Sequence, residues 1–194
     1  MTAYDPSTAL LVVDVQNDFA DPAGSLFVRG GDEVVSRIND EIQLAASAGA
    51  FVIYTQDWHP PSTPHFAKDG GVWPVHCVAE TWGAELHPGL VVAGPSVRKG
   101  SNGEDGYSGF TMRDPETGED RATALEALLH QCGVTQLVVV GLATDYCVRG
   151  TVLDARSLGF ETSVLTEGVA AVELAPGDGA RALEEMAAAG AHLH

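Results

Sequence analysis

The sequence predicts an α/β protein, a three-layer α-β-α sandwich built on a mostly parallel sheet. Three observations carry this. Short apolar runs alternate with segments of helical periodicity, the pattern of βαβ units. The runs are continuously apolar, as strands buried on both faces are. Four residues able to do chemistry, Asp14, Asp57, Lys99 and Cys147, each follow such a run, at the edge where open parallel sheets bind ligands.

The elements follow in order. Ala9-Leu10-Leu11-Val12-Val13 is a buried strand ending on Asp14. Val34, Ile38, Ile42 and Ala45 recur at helical spacing over residues 32–47, with Asp32 and Glu33 at the start and Gly49 past the end. Phe51-Val52-Ile53-Tyr54-Thr55 is the second strand, and Ser96-Val97-Arg98 a weaker third. A helix is expected over 121–131, stopped by Gly133, then the clearest strand, Leu137-Val138-Val139-Val140. A helix over 146–157, a strand over 161–165 and a helix over 178–189 complete the pattern, and Ala191 to His194 is assigned no element. Residues 57–80 and 100–120 read as long loops, which in a compact domain are commonly functional.

At 194 residues the chain suits one domain, 1–194, with a sizeable core. A net charge of -17 repels phosphate backbones and anionic bilayers, so neither nucleic acid nor a membrane is an expected partner. No apolar run is long enough to span a bilayer, and the first residues lack a signal-peptide pattern. A cytoplasmic location is therefore expected, as a monomer or a homo-oligomer. Cys77, Cys132 and Cys147 are too few and too odd for a disulfide framework.

Two constellations carry chemistry. Gly141-Leu142-Ala143-Thr144-Asp145-Tyr146-Cys147 joins the clearest strand to a helix. Cys147 in the first helical turn would meet unpaired N–H groups that favour a thiolate and could hold an oxyanion. A buried, inert thiol is the alternative, since free cysteine is commonly packed inside. Asp14 at a strand end could accept the thiol proton, and Lys99 could hold that carboxylate and lower the thiol pKa. In the second constellation, Asp57 and His59 point the same way from an extended segment. His65 can fold back after the Pro-rich turn, and Trp73-Pro74-Val75-His76-Cys77 adds a third imidazole. One carboxylate and up to three imidazoles suit one divalent ion: zinc, iron or manganese. Cys77 reads as packing with a ligand role open, and Cys132 as core.

These segments, with Asp14-Val15-Gln16-Asn17-Asp18-Phe19, Lys99-Gly100 and Tyr107-Ser108-Gly109-Phe110, resemble the nicotinamidases of the isochorismatase-like hydrolase superfamily, over nearly the whole chain and in the same order. The resemblance implies the isochorismatase-like hydrolase fold and an Asp14-Lys99-Cys147 triad. It implies metal ligation by Asp57, His59, His65 and His76, a ring pocket lined by Phe19, Trp73, Tyr107 and Ala143, and an oxyanion hole from the N–H groups of Ala143 and Cys147. It implies a cis peptide between Leu142 and Ala143. The implied activity is hydrolysis of nicotinamide, and also pyrazinamide, through a Cys147 thioester, a step of NAD salvage. The alternatives are a related amidohydrolase acting on a carbamoyl or ureido compound, a hydrolase using metal-bound hydroxide, and a non-enzymatic pyridine-binding fold.

Overall fold

The computed structural model describes residues 4–194. Residues 1–3, part of the signal-peptide reading, lie outside the described residues. β1 (Thr8–Val13) is buried throughout and runs up the middle of a six-stranded sheet. It pairs in parallel with β2 (Phe51–Asp57) on one side and β6 (Gln136–Leu142) on the other. β3 (Ser96–Lys99) lies outside β2; β7 (Glu161–Ala170) and β8 (His192–Leu193) lie outside β6, all parallel. The order β3-β2-β1-β6-β7-β8 reverses direction between β1 and β6. Such a reversal opens a crevice at the carboxyl ends of the strands.

Alternate residues of the central strands feed two separate cores, which is why the runs are apolar at every position. Leu10, Val12, Val138, Val140 and Leu142 pack with Ile38 and Ile42 of α2 (Val34–Ser47). Ala9, Leu11, Val13, Leu137 and Val139 pack with Leu125 and Leu129 of α3 (Leu125–Gln131), Val152 of α4 (Arg149–Ser157), and Met186 of α5 (Asp178–Ala188). The three layers are thus helix, sheet, helix. A short helix, α1 (Asn17–Ala20), follows β1 directly.

Several boundaries differ from the sequence expectation. The helix expected over 121–131 starts at Leu125, because Arg121 belongs to a two-stranded hairpin. In it β4 (Thr111–Arg113) pairs antiparallel with β5 (Asp120–Ala122). Arg121 reaches Asp114 at 2.6 Å across the turn, and Thr123 Oγ1 then accepts the Leu125 N–H to open α3. β7 runs five residues past its expected end, through a register shift against β6. The last residues, assigned no element, form β8. Their backbone pairs with Val164 and Thr166. Among the described residues no helix is long and apolar enough to cross a membrane.

Candidate active site

The carboxyl ends of β1, β2, β3 and β6 each deliver one reactive side chain to the crevice. Asp14 stands one residue past β1 with φ +50°, an uncommon conformation for a residue with a side chain. Its N–H donates to Thr55 O at 3.2 Å, so the strained turn is tied to the neighbouring strand. The Thr55 hydroxyl donates to Asp14 Oδ1 at 2.6 Å, and Lys99 Nζ lies 3.0 Å from Asp14 Oδ2. Lys99, the last residue of β3, also contacts Asp57 Oδ1 and stands 3.7 Å from Cys147 Sγ. Asp14, Asp57, Lys99 and Cys147 are all buried.

The backbone beneath Cys147 differs from the expected helix start. Thr144–Val148 forms a single π-helical turn before α4. The Ala143 carbonyl accepts the N–H of Tyr146 at 3.1 Å and of Val148 at 3.0 Å, passing over that of Cys147. Wide turns of this kind recur at functional sites. The Leu142–Ala143 peptide is cis, as the resemblance implies. Gly141 makes room for the backbone of β1 at Val13. A Cβ there would sit 2.1 Å from Val13 O, and its φ of +115° suits glycine alone.

The electrostatics overturn one expectation. A helix start was expected to favour the thiolate. Burial instead pushes the Cys147 thiol well up, and Asp14 and Asp57 add to this against the opposing charge of Lys99. Burial also raises the Asp14 carboxyl, with Lys99 opposing and Asp57 assisting. Burial pushes Asp57 up as well, but Lys99 and the nearby imidazoles hold it well below the usual carboxylate range. Lys99 stays charged, because its two carboxylates outweigh its own desolvation. Burial thus favours the neutral form of the thiol and raises the proton affinity of Asp14, with Lys99 between Asp14 and Asp57.

Beside this cluster, His59, His65 and His76 offer ring nitrogens that all lie within 4.8 Å of one another. His59 stacks on His65 at 4.9 Å between centroids and meets His76 edge-on at 5.2 Å. Asp57 Oδ2 faces the group, 3.8 Å from His59 Nε2 and 3.9 Å from His76 Nε2. Two features fit a cation here. His65 and His76 each have Nδ1 engaged, with Asp105 Oδ1 at 2.6 Å and Pro74 O at 2.7 Å, which leaves Nε2 available. Both ring nitrogens of His59 are buried without a hydrogen-bond partner, an arrangement a protein rarely tolerates unless something else binds there. These residues can hold a metal ion.

A pocket of about 390 Å³, counting space open to solvent, joins the two clusters. Its lining includes Phe19, Trp73, Tyr107 and Ala143, all expected, together with Cys147, Asp57, His65 and His76. Every candidate named from the sequence therefore converges on one crevice. Several contributors were missed, Leu26 and Val28 of the lining among them. Tyr146 packs edge-on against Trp73 at 4.8 Å and Tyr107 at 5.1 Å. Val172 lines the pocket from the loop after β7, where the carboxylate of Asp145 accepts the N–H groups of Val172 and Glu173. Gln16 clamps the Asp57 backbone, donating to its carbonyl at 2.7 Å and accepting its N–H at 2.8 Å. Thr55 read only as strand. Tyr146 had a signal, an aromatic beside the candidate nucleophile. The others act through partners distant in sequence, which no local pattern announces. Cys77 is buried packing, its N–H donating to Asp18 Oδ2 at 2.7 Å. Cys132 is half-buried at the end of α3.

Comparison with known proteins agrees with this geometry. The family described as Isochorismatase domain matches residues 8–194. The nicotinamidase of Escherichia coli (strain K12) is 41% identical, over 97% of this chain and 95% of that protein. The solved pyrazinamidase of Pyrococcus horikoshii in complex with zinc superposes with a TM-score of 0.86 at 38% identity, covering 97% and 99% of the two chains. PnC1 from L. infantum, solved in complex with nicotinate, superposes with a TM-score of 0.88 at 35% identity, covering 100% and 95%.

Proposed function

The chain belongs to the isochorismatase family, and on that premise we propose that it is a nicotinamidase, converting nicotinamide to nicotinic acid and ammonia and also accepting pyrazinamide. The observation that carries this reading is the shared pocket. A buried thiol, the imidazoles of His65 and His76 and several aromatic side chains line it together, and Asp14 lies within 4.8 Å of the thiol. The pyrazinamidase solved with zinc and the relative solved with nicotinate support the same substrate class. The chain acts as one domain, 1–194.

In this mechanism Asp14 accepts the proton of Cys147 as the thiolate attacks the carboxamide carbon. Raised basicity suits Asp14 to the task, and Thr55 holds its other oxygen. Lys99 keeps the carboxylate in place and offsets the negative charge that would otherwise accumulate. The N–H groups of Ala143 and Cys147 stabilise the tetrahedral oxyanion. Asp14 then returns its proton to the departing nitrogen, and ammonia leaves a thioester. Water, deprotonated by Asp14, hydrolyses that thioester to nicotinic acid and restores the thiol. Phe19, Trp73 and Tyr107 enclose the ring, and fixing its orientation raises the effective concentration of the amide at the thiol. Asp57, His59, His65 and His76 would hold one divalent ion, zinc, iron or manganese, whose chemistry when bound is to anchor the ring nitrogen.

Ammonia release from nicotinamide, pyrazinamide and a ureido compound tests the substrate class, with nicotinamide expected to turn over fastest. Cys147→Ala is expected to abolish turnover while metal content stays unchanged. Retained turnover in that variant, or preference for the ureido compound, refutes the reading.

A further inference from the structure

Asp105 lies in the loop between β3 and β4 and is neither a triad member nor one of the four proposed ligands. Two backbone hydrogen bonds fasten it to β4. Its N–H donates to Arg113 O at 2.8 Å, and its carbonyl accepts the Arg113 N–H at 2.6 Å. Gly106 follows with φ +124°, which a side chain would rarely permit, and its N–H donates to Asp105 Oδ1 at 2.8 Å. The carboxylate so held meets His65 Nδ1 at 2.6 Å, across a sequence separation of 40. A carboxylate acceptor makes this a charge-assisted hydrogen bond, and its length is just below the usual range of about 2.7–2.9 Å.

We propose that Asp105 is a positioning residue for the metal, fixing the tautomer and rotation of His65 so that Nε2 faces His59 and His76. The inference rests on the metal reading above and adds a residue to it. A carboxylate on Nδ1 holds the ring proton there and leaves the lone pair on Nε2. His76 is oriented in the same sense, by the Pro74 carbonyl, so two of the three imidazoles are aimed by a partner on the far ring nitrogen. His65 needs the stronger partner. It arrives on a loop turned by Pro60, Pro61 and Pro64, and no regular strand or helix holds it. The β4–β5 hairpin, unexplained by catalysis otherwise, acquires a purpose as the platform that carries Asp105. Outer carboxylates of this kind are generally worth about 10–100-fold in metal affinity.

Zinc affinity of the full chain, after chelation of bound metal and measured by competition with a chromophoric chelator, tests this. Asp105→Ala is expected to weaken zinc about 10–100-fold. Asp105→Asn keeps an accepting oxygen without the charge and is expected to lose less. His76→Ala, which removes a proposed ligand outright, provides the scale. If both Asp105 variants bind zinc as the unaltered chain does while His76→Ala does not, Asp105 merely shapes the loop and the proposal is overturned. A raised KM with unchanged zinc affinity has the same meaning. If His76→Ala also binds normally, the metal reading itself has failed, and this inference with it. Should Asp105→Ala not fold, Asp105→Asn decides alone: weakened zinc supports the proposal and undiminished zinc refutes it.

Discussion

Replacing Lys99 with methionine removes the cation that Asp14 and Asp57 share. Lys99 Nζ stands 3.0 Å from Asp14 Oδ2 and also touches Asp57, and all three residues are at most 5% exposed, so water screens little. Methionine matches the stem in volume, so the change is chiefly one of charge. Two carboxylate oxygens then lie within 4.8 Å of each other. At an effective dielectric of about 20 their repulsion is roughly 3.5 kcal/mol, before any desolvation. The folded variant escapes by protonating one of them once the pH is low enough for that to cost less than the repulsion. Holding a proton on a carboxyl whose ordinary pKa is near 3.9 costs about 5.6 kcal/mol at pH 8 and about 1.5 kcal/mol at pH 5. The deficit relative to the unaltered chain is therefore about 3–5 kcal/mol at pH 8, the usual cost of orphaning a buried charge. It shrinks to roughly 1.5 kcal/mol or less at pH 5. The sign follows from linkage. In the native chain Asp57 is held below its ordinary range, so its contribution is present above the unfolded pKa and lost as pH falls. In the variant one carboxyl is raised, so stability is retained at low pH and lost as pH rises. Urea unfolding of both proteins at the two pH values, with chelator present, measures the difference. A deficit that is small at pH 8, or equal at both, refutes this account of the buried cluster.

Thr55→Val removes the hydroxyl that donates to Asp14 at 2.6 Å. A loss of about 1.5–3 kcal/mol in unfolding free energy is expected. That bond lowers the Asp14 pKa, so the acidic limb of the kcat/KM profile should move to higher pH; an unmoved limb would contradict Asp14 as the base. Gly141→Ala forces a Cβ to 2.1 Å from Val13 O at φ +115° and should destabilise by at least about 3 kcal/mol, read by thermal melting. Tyr146→Ala breaks two edge-on aromatic pairs in the pocket wall, each worth about 1 kcal/mol. Urea unfolding should show about 2 kcal/mol lost, and steady-state kinetics should show KM raised with kcat less affected, because the loosened wall orders the ring less well.

The sheet was legible because parallel strands buried on both faces write themselves as unbroken apolar runs. Asp14, Asp57, Lys99 and Cys147 followed from one rule, that chemistry collects at strand ends. The β4–β5 hairpin was not legible. Its strands are three residues each, Thr-Met-Arg and Asp-Arg-Ala, with no alternation to mark them. Asp105 sits in the same polar stretch, and its pairing with His65 is made by folding alone. The state of Cys147 was misread for a related reason. Local sequence reveals a helix start, whereas the thiol's acidity is governed by burial and by two carboxylates from β1 and β2. The length of β7 was hidden by its register shift, which lets polar and small residues continue a strand after its apolar run ends.

The two oxygens of Asp57 face opposite ways, Oδ1 to Lys99 and Oδ2 to the imidazoles of His59 and His76. One side chain is thus common property of two machines, and mutational genetics will register that. A saturation screen should find position 57 as intolerant as the nucleophile itself, because each replacement damages the thiol's charge balance and the cation cradle at once. Lesions at the histidines damage only the second. Variants meant to exchange or dispense with the ion are therefore better sought at His59, His65 and His76, with position 57 left untouched so that the nucleophile keeps its setting.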